Sequence, residues 1–250
     1  MITVSDLWRY PIKSHGREAI ETVTLSAGKT MPWDRHWAVT HEASKFDHND
    51  PRWVMCRNFM IGVATPGLAG IWAKLDEDTA TVTLTHADLG GLTFSPDDPS
   101  EVATFLNWVM PVCPADKRTP TGIVKANVGM TDSAYPSVSI MTKASHASVE
   151  AQVGTSLEIE RWRGNIWLDG TEAWEEFDWT GRKVQIGTAV LSVKEPIRRC
   201  MATAANPRSG KRDQDLLTAL RDGWDHQHFG LYAEVVEGGT VALGDRARVL

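Results

Sequence analysis

Short runs in which apolar and polar residues alternate recur along most of the chain, and turns rich in glycine and proline separate them. Residues 2–8 form such a run, and loose alternation of this kind is typical of a strand with one buried face. The same pattern predicts further strands at 21–25, 34–40, 71–75, 80–85, 137–141, 164–168, 183–186, 189–193, 232–237 and 241–249, the last with a break at 244–245. Many short strands with this punctuation indicate a β-barrel with one or two helices packed outside it.

Helical spacing of apolar residues is limited to three segments, 101–110, 143–153 and 213–221. Strands therefore outnumber helices, and the sequence predicts a mainly β fold with a few flanking helices. The chain has 250 residues, which is enough for one large β-rich domain or two smaller ones. The irregular stretch 111–129 predicts a boundary, which divides the chain into residues 1–118 and 119–250.

Charge and cysteine usage narrow the class of protein. The net charge of −6 argues against general nucleic-acid binding. No stretch reaches 18 apolar residues, so the sequence predicts no membrane span. Three widely spaced cysteines, with no signal peptide before them, favour a reducing compartment over a disulfide framework. These features together predict a cytoplasmic protein.

Three common enzyme classes are disfavoured by the absence of their motifs. No G-x-G-x-x-G follows a predicted strand, and the chain has neither a Walker motif nor H-E-x-x-H. These absences argue against a dinucleotide-binding oxidoreductase, a P-loop ATPase and a zinc protease.

A cysteine beside two arginines is the strongest candidate for chemistry. The predicted strand 189–193 is followed by Pro196, and then by Arg198, Arg199 and Cys200. Neighbouring positive charges favour a thiolate over a thiol, and a thiolate can act as a nucleophile, a sulfur carrier or a soft metal ligand. A small buried residue that only fills space is the alternative, and the local sequence leaves both open.

Two further sites are candidates for anion binding. Pro11 ends the first predicted strand, and Lys13 and Ser14 then place a cation and a hydroxyl on a loop, a pair that suits a phosphate oxygen. A solvated loop lysine is the alternative. Arg35 could pair with Asp34 or face an anion, and neighbours on a strand point to opposite faces, so the two need not pair.

Six short motifs, in the same order along the chain, resemble those of one family. They are residues 10–14 (YPIKS), 34–37 (DRHW), 132–136 (DSAYP), 163–166 (RGNI), 199–210 (RCMATAANPRSG) and 229–245 (FGLYAEVVEGGTVALGD). The chain resembles MOSC domain proteins, named after the C-terminal domain of molybdenum cofactor sulfurase. It is most similar to members that carry an N-terminal MOSC-associated β-barrel, the group that includes the mitochondrial amidoxime-reducing component.

The resemblance implies a fold and a cofactor. The fold would be a β-barrel MOSC domain preceded by an N-terminal β-barrel-like domain, and the cofactor would be the molybdenum cofactor, in which molybdenum is held by a pterin. Cys200 would ligate the metal, and a thiolate is a suitable soft ligand. The residues expected to bind the cofactor are Lys13, Ser14, Arg35, Asp132, Ser133, Arg163, Asn165 and Arg199.

Two differences from the family bear on the predicted activity. Animal reductases of this group have an aspartate before the proline of the cysteine motif, where this chain has Asn206, and an amide cannot donate a proton as an acid does. We therefore expect Asn206 at the catalytic site in the place of that acid. The chain also lacks a four-cysteine iron–sulfur pattern, so electrons would come from a separate ferredoxin- or cytochrome-type protein with its reductase.

The resemblance implies a molybdenum-dependent oxidoreductase that removes oxygen from small N-hydroxylated compounds, with neither nucleic acid nor membrane as a partner. The alternative is a sulfur carrier, or a protein for sulfuration or delivery of the cofactor, that uses a persulfide on Cys200. A third possibility is a binding module in which Cys200 has no chemical role.

Overall fold

The computed structural model describes residues 1–250, with fifteen strands and three α-helices. The strands are β1 (Ile2–Arg9), β2 (Glu18–Ile20), β3 (Thr22–Leu25), β4 (Trp37–His41), β5 (Trp72–Asp76), β6 (Thr81–His86), β7 (Gly90–Phe94), β8 (Pro120–Lys125), β9 (Val138–Thr142), β10 (Ile166–Asp169), β11 (Lys183–Ile186), β12 (Ala189–Arg198), β13 (His228–Glu237), β14 (Gly239–Ala242) and β15 (Arg246–Val249). The helices are α1 (Pro99–Val109), α2 (Lys143–Val153) and α3 (Leu216–Trp224).

Seven of the strands close into a barrel. Their order is β10-β9-β13-β12-β11-β15-β1, and pairing of β1 with β10 completes the ring. β9 and β10 are parallel, and the other neighbours in the ring are antiparallel. Inward-pointing residues of these strands supply fifteen of the twenty buried apolar side chains in the main core, and Val23, Leu25, Met31, Trp179 and Val241 supply the rest. The prediction of a mainly β fold built on a barrel with few helices is confirmed.

The first strand of the chain belongs to the barrel rather than to the strands that follow it. β1 pairs with β10 and β15, and buried Val4 lies opposite buried Leu168. This pairing joins residues more than 160 positions apart, which periodicity in the sequence cannot reveal. The division at residues 118 and 119 remains a prediction, but residues 2–9 are structurally continuous with the C-terminal half.

The rest of the N-terminal half surrounds a second core of twelve buried residues. β5, β6 and β7 form an antiparallel meander, and β4 pairs with β8. Helix α1 covers this core with Phe105 and Val109, and Asp98 caps its first turn by accepting a hydrogen bond from the backbone N–H of Ser100 at 2.8 Å.

A third core lies between the barrel and helices α2 and α3. Its centre is a stacked pair, Trp162 and Phe229, with ring centroids 3.8 Å apart. Leu216 and Leu220 of α3 contribute to the same cluster. This core borders the end of β12, and so supports the segment that carries the candidate cysteine. None of the three helices is long and apolar enough to cross a membrane.

One predicted strand begins later than expected, and the difference affects the site. The sequence predicts a strand over 34–40, but β4 begins at Trp37 because Asp34 and Arg35 lie in a turn. Arg35 has a φ of 51°, in the left-handed region. The strand assigned to residues 34–36 is therefore wrong, and in the turn Nη1 of Arg35 donates a hydrogen bond to Oδ2 of Asp34, one of the two alternatives that the sequence left open.

Candidate functional site

A cavity of about 340 Å³ lies where the barrel meets the N-terminal half. Eight of the ten residues that the sequence predicts for the site line it: Lys13, Ser14, Arg35, Asp132, Arg163, Asn165, Arg199 and Cys200. Segments far apart in the chain thus converge on one space.

Lys13 anchors the cavity from the loop after β1. Its side chain is only 3% exposed, and Nζ donates hydrogen bonds to the carbonyl oxygen of Met130 at 2.7 Å and to Oδ1 of Asp132 at 2.5 Å. The surrounding protein opposes ionisation of Asp132, although its side chain is 57% exposed, but the charge of Lys13 outweighs this effect and holds the pKa of the carboxyl below its usual value. Asp132 is therefore a carboxylate at neutral pH, and Lys13 is bound to protein partners.

Arg35 is fixed by the turn that precedes β4. Its backbone N–H donates to the carbonyl oxygen of Tyr10 at 2.7 Å, while Oδ1 of Asp34 accepts a hydrogen bond from the N–H of Tyr10 at 2.9 Å. Burial opposes the guanidinium charge, but Asp34 and Asp132 outweigh it and raise the pKa of Arg35. Arg35 is thus paired with Asp34 and also borders the cavity, and its binding of an anion there stays a prediction.

Among the cations that line the cavity and are not exposed to solvent, Arg163 is the least compensated. It follows the 3-10 turn Ile159–Trp162 in a left-handed conformation, with φ of 50°. Its guanidinium lies 4.4 Å from the ring centroid of Tyr10, and its one side-chain hydrogen bond goes to the carbonyl oxygen of Gly16 at 3.5 Å. Burial, reinforced by the charge of Arg35, lowers the pKa of Arg163 to about 10. A cation without a carboxylate partner is suited to an anionic ligand.

Asn165 and Arg199 line the cavity, but their polar atoms are engaged with the protein. Oδ1 of Asn165 accepts hydrogen bonds from the backbone N–H and hydroxyl of Ser139, and its Nδ2 donates to the carbonyl oxygen of Trp8. Arg199 is buried and donates to the carbonyl oxygens of Trp162 and Phe229 at 2.6–2.9 Å. Asn165 therefore connects β9 and β1. Arg199 contributes a positive charge to the cavity rather than free hydrogen-bond donors.

Cys200 is exposed and lines the cavity, two residues after the end of β12. Its carbonyl oxygen accepts a hydrogen bond from the hydroxyl of Thr203 at 3.0 Å, which holds the following 3-10 turn, Met201–Ala204. Arg198, also exposed, lines the cavity beside it. The thiol is accessible, so the alternative of a small residue that only fills buried space is wrong.

The surroundings of Cys200 fit a metal held by a cofactor better than one held by the protein alone. No three His, Cys, Asp or Glu side chains lie close enough together to hold a metal ion. A metal here would take one thiolate from the chain and its other ligands from elsewhere. The uncompensated charge of Arg163 would suit an anionic group on the same ligand. The residues present therefore fit a cofactor in which a pterin holds the metal and carries a phosphate.

Two predicted residues lie outside the cavity. Ser133 is buried, and its hydroxyl bonds to the carbonyl oxygen of Tyr135 and the hydroxyl of Ser137, both at 2.7 Å. Asn206 donates from Nδ2 to Oδ2 of Asp213 at 2.7 Å, and its Oδ1 accepts the N–H of Arg208 at 2.8 Å. Asn206 therefore shapes the 206–211 loop, and we correct its expected catalytic role to a structural one.

Sequence models of two known domains match most of the chain. The sequence model of the MOSC domain matches residues 130–248, and that of the MOSC N-terminal beta barrel domain matches residues 1–110. The chain belongs to the MOSC family. The two matched regions are separated by residues 111–129, the irregular stretch of the sequence. Residues from both regions line the cavity.

Several proteins are similar to this MOSC chain. A molybdenum cofactor sulfurase from Bos taurus is 22% identical over 92% of this chain and 30% of its own length. The mitochondrial amidoxime reducing component 2 from Macaca fascicularis is 29% identical over 45% of this chain and 37% of its own. Among solved structures, the YuaD protein from Bacillus subtilis has 14% identity and a TM-score of 0.49, with 100% of this chain and 96% of that chain covered. The chain spans about a third of the two curated relatives.

Sequence reasoning missed four side chains that complete the MOSC site. Tyr10 presents its ring to Arg35 and Arg163, and its hydroxyl donates to the carbonyl oxygen of Gly164 at 3.1 Å. Cys56, Arg161 and Tyr232 also line the cavity. Tyr10 and Tyr232 lie within the motifs at 10–14 and 229–245, which were the only sequence signal for them. Burial raises the pKa of the Cys56 thiol, which makes it less reactive.

Proposed function

We propose that the chain is a molybdenum-cofactor-dependent reductase that removes oxygen from N-hydroxylated compounds, with Cys200 as a ligand of molybdenum. The observation that carries the proposal is the accessible thiol of Cys200 at a cavity that also contains the uncompensated cation Arg163. Family membership and the name of the amidoxime-reducing relative support this choice of reaction.

The chain's own residues would bind and orient the cofactor. Ser14 offers a hydroxyl that makes no hydrogen bond with the protein, and Arg163 offers guanidinium N–H groups, so both suit the phosphate of the pterin. Lys13 and Arg35 add positive charge to the same cavity, although Nζ of Lys13 is bound to Asp132 and Nη1 of Arg35 is bound to Asp34. When bound, the cofactor supplies a molybdenum centre that accepts oxygen from the substrate.

Each turnover needs two electrons and two protons for every oxygen released as water. The cysteines cannot assemble an iron–sulfur cluster, because no three metal-binding side chains lie together. We therefore propose a separate ferredoxin- or cytochrome-type donor with its reductase, and a cytoplasmic location. Neither nucleic acid nor a membrane is a proposed partner.

A second candidate function is sulfur transfer to the cofactor. It is favoured by the exposure of Cys200 and by the likeness to molybdenum cofactor sulfurases, one of which matches 92% of the chain. In this case Cys200 would carry a persulfide, and the same cations would hold the cofactor only transiently.

The two candidates differ in an assay with benzamidoxime. The protein is purified from a molybdenum-replete host, and reduction to benzamidine is followed by chromatography with a chemical electron donor. We expect turnover by the wild type and by Cys113→Ser, whose thiol lies outside the cavity, and none by Cys200→Ser. Absence of turnover in a wild type that carries a persulfide on Cys200 would favour sulfur transfer and contradict the reductase.

A further inference from the structure

The hydroxyl groups of the cavity differ in whether the protein binds them. Six line it: Ser14, Thr131, Ser137, Ser139, Thr203 and Tyr232. Thr131 and Ser137 bond to Ser133, Ser139 bonds to Asn165, and Thr203 bonds to Cys200. Only Ser14 and Tyr232 have hydroxyls with no hydrogen bond to the protein. These two are free to bind a ligand.

No carboxylic acid is available in the same space. Asp132 is the only carboxyl that lines the cavity, and Lys13 holds it as a carboxylate. Asn206, expected in the place of an acid, lies in a loop outside. Of the two free hydroxyls, the phenol is the stronger acid, because an aliphatic alcohol scarcely ionises in water whereas a phenol has a pKa near 10.

Tyr232 is a partly buried side chain with neighbours on two strands. It lies within β13, opposite Glu195 of β12 and Ser139 of β9, and it packs on the apolar cluster around Trp162. Burial raises the pKa of Tyr232 to about 12, Asp132 and Cys200 act in the same direction, and Arg199 and Arg35 act against it. The hydroxyl is therefore protonated at neutral pH, and the charges of Arg199 and Arg35 favour its phenolate form.

We infer that Tyr232 is a catalytic residue that donates a proton to the oxygen leaving the N-hydroxylated substrate. This inference rests on the proposed reductase function. For an amidoxime, R–C(NH2)=N–OH, two electrons and two protons break the N–O bond and give R–C(NH2)=NH and water. The electrons come from the separate redox protein, one proton comes from Tyr232, and the other comes from solvent. Water at the open mouth of the cavity then reprotonates the phenolate.

The first test compares Tyr232→Phe with Tyr135→Phe. Tyr135 is the matched control, because its hydroxyl donates to Glu195 at 2.7 Å and does not line the cavity. We expect Tyr232→Phe to lower kcat for benzamidoxime at least about 100-fold, the usual contribution of a general acid, with KM and molybdenum content unchanged. We expect Tyr135→Phe to keep the wild-type kcat. A kcat for Tyr232→Phe within about threefold of the wild type overturns the inference.

A second readout does not depend on turnover. The chain has three tyrosines, so protein labelled with 13C at the tyrosine ring carbon that bears the hydroxyl gives three resonances, which the Tyr→Phe variants assign. Benzamidoxime should shift the Tyr232 resonance and leave that of Tyr135 in place. No shift at saturating benzamidoxime overturns the contact. A wild type with neither molybdenum nor turnover overturns the reductase function itself, a failure that is visible without any tyrosine variant.

Discussion

Nη2 of Arg35 donates a hydrogen bond to the carbonyl oxygen of Arg163 at 2.9 Å, and the two guanidinium groups lie 4.7 and 4.4 Å from the ring centroid of Tyr10. Two cations from opposite halves of the chain are thus held close together at one cavity. Cation–π contact with Tyr10 offsets part of their repulsion, by about 2 kcal/mol for a desolvated pair. Two neighbouring cations that repel each other are expected at a site where an anion binds and offsets the repulsion.

Arg163 should therefore contribute to binding at a cost in stability. We expect Arg163→Met to leave the free energy of unfolding unchanged or to raise it by about 1 kcal/mol, because a partly buried charge without a carboxylate partner is removed. Arg161→Met is the control, since Arg161 also lines the cavity but pairs with both oxygens of Asp213. Arg161→Met should lower the free energy of unfolding by about 3 kcal/mol. Urea unfolding measures both, and equal destabilisation would contradict the account of Arg163.

His15 should make the fold sensitive to acid. Its ring is fully buried, Nδ1 is 2.8 Å from the carbonyl oxygen of Lys13, and burial lowers its pKa from 6.5 to about 4. Between these values the unfolded chain binds a proton that the folded protein does not, so stability falls as the pH falls. The loss should total about 3 kcal/mol between pH 6.5 and pH 4. In the variant His15→Gln the side chain at this position cannot bind a proton, so the free energy of unfolding should fall less between pH 6.5 and pH 4. Identical profiles for the two proteins, from urea unfolding at each pH, would contradict the burial argument.

Gly230 should be intolerant of any side chain. Its φ is 71°, and a Cβ would lie 2.8 Å from the carbonyl oxygen of Ile140 and would overlap Met141. Gly154 has nearly the same φ, 72°, but nothing lies within 4 Å of a Cβ there. Both alanine variants incur the left-handed backbone cost of about 1 kcal/mol, and Gly230→Ala should lose at least about 2 kcal/mol more. Thermal unfolding compares them, and equal losses would show that Gly230 has room.

The three cysteines should react with iodoacetamide in a fixed order. Cys200 is exposed, whereas Cys56 and Cys113 are half-buried. Burial raises the pKa of Cys56, and it raises that of Cys113 to about 11, so both have less thiolate at pH 8. In cofactor-free protein Cys200 should be alkylated first, as peptide mass spectrometry would detect. Faster labelling of Cys113 would contradict the described burial.

Much of the site was predictable because its residues sit in short local motifs. Cys200, Lys13 and Arg163 were each predicted from such a motif, and the structure brings them to one cavity. What failed depends on long-range geometry. The place of β1 in the barrel requires a pairing with β10, and the occupied donors of Arg199 depend on carbonyls of Trp162 and Phe229, which come from other segments.

Local conformation accounts for the other errors. Asp34 and Arg35 fit an alternating strand pattern, yet the hydrogen bonds of Tyr10 to both residues hold them in a turn. The residue type of Asn206 suited a place beside the chemistry, but the same amide is well suited to closing a loop, and its bonds to Asp213 and Arg208 do so.

The ratio of molybdenum to protein chain, with pterin measured in parallel, tests the central claim most directly. Wild-type protein and the variants Cys200→Ser and Cys113→Ser are purified from a molybdenum-replete host and analysed by metal mass spectrometry and pterin fluorescence. We predict close to one molybdenum and one pterin per chain in the wild type and in Cys113→Ser, and loss of the metal in Cys200→Ser. A full complement of molybdenum in Cys200→Ser, or none in the wild type, would contradict ligation by Cys200.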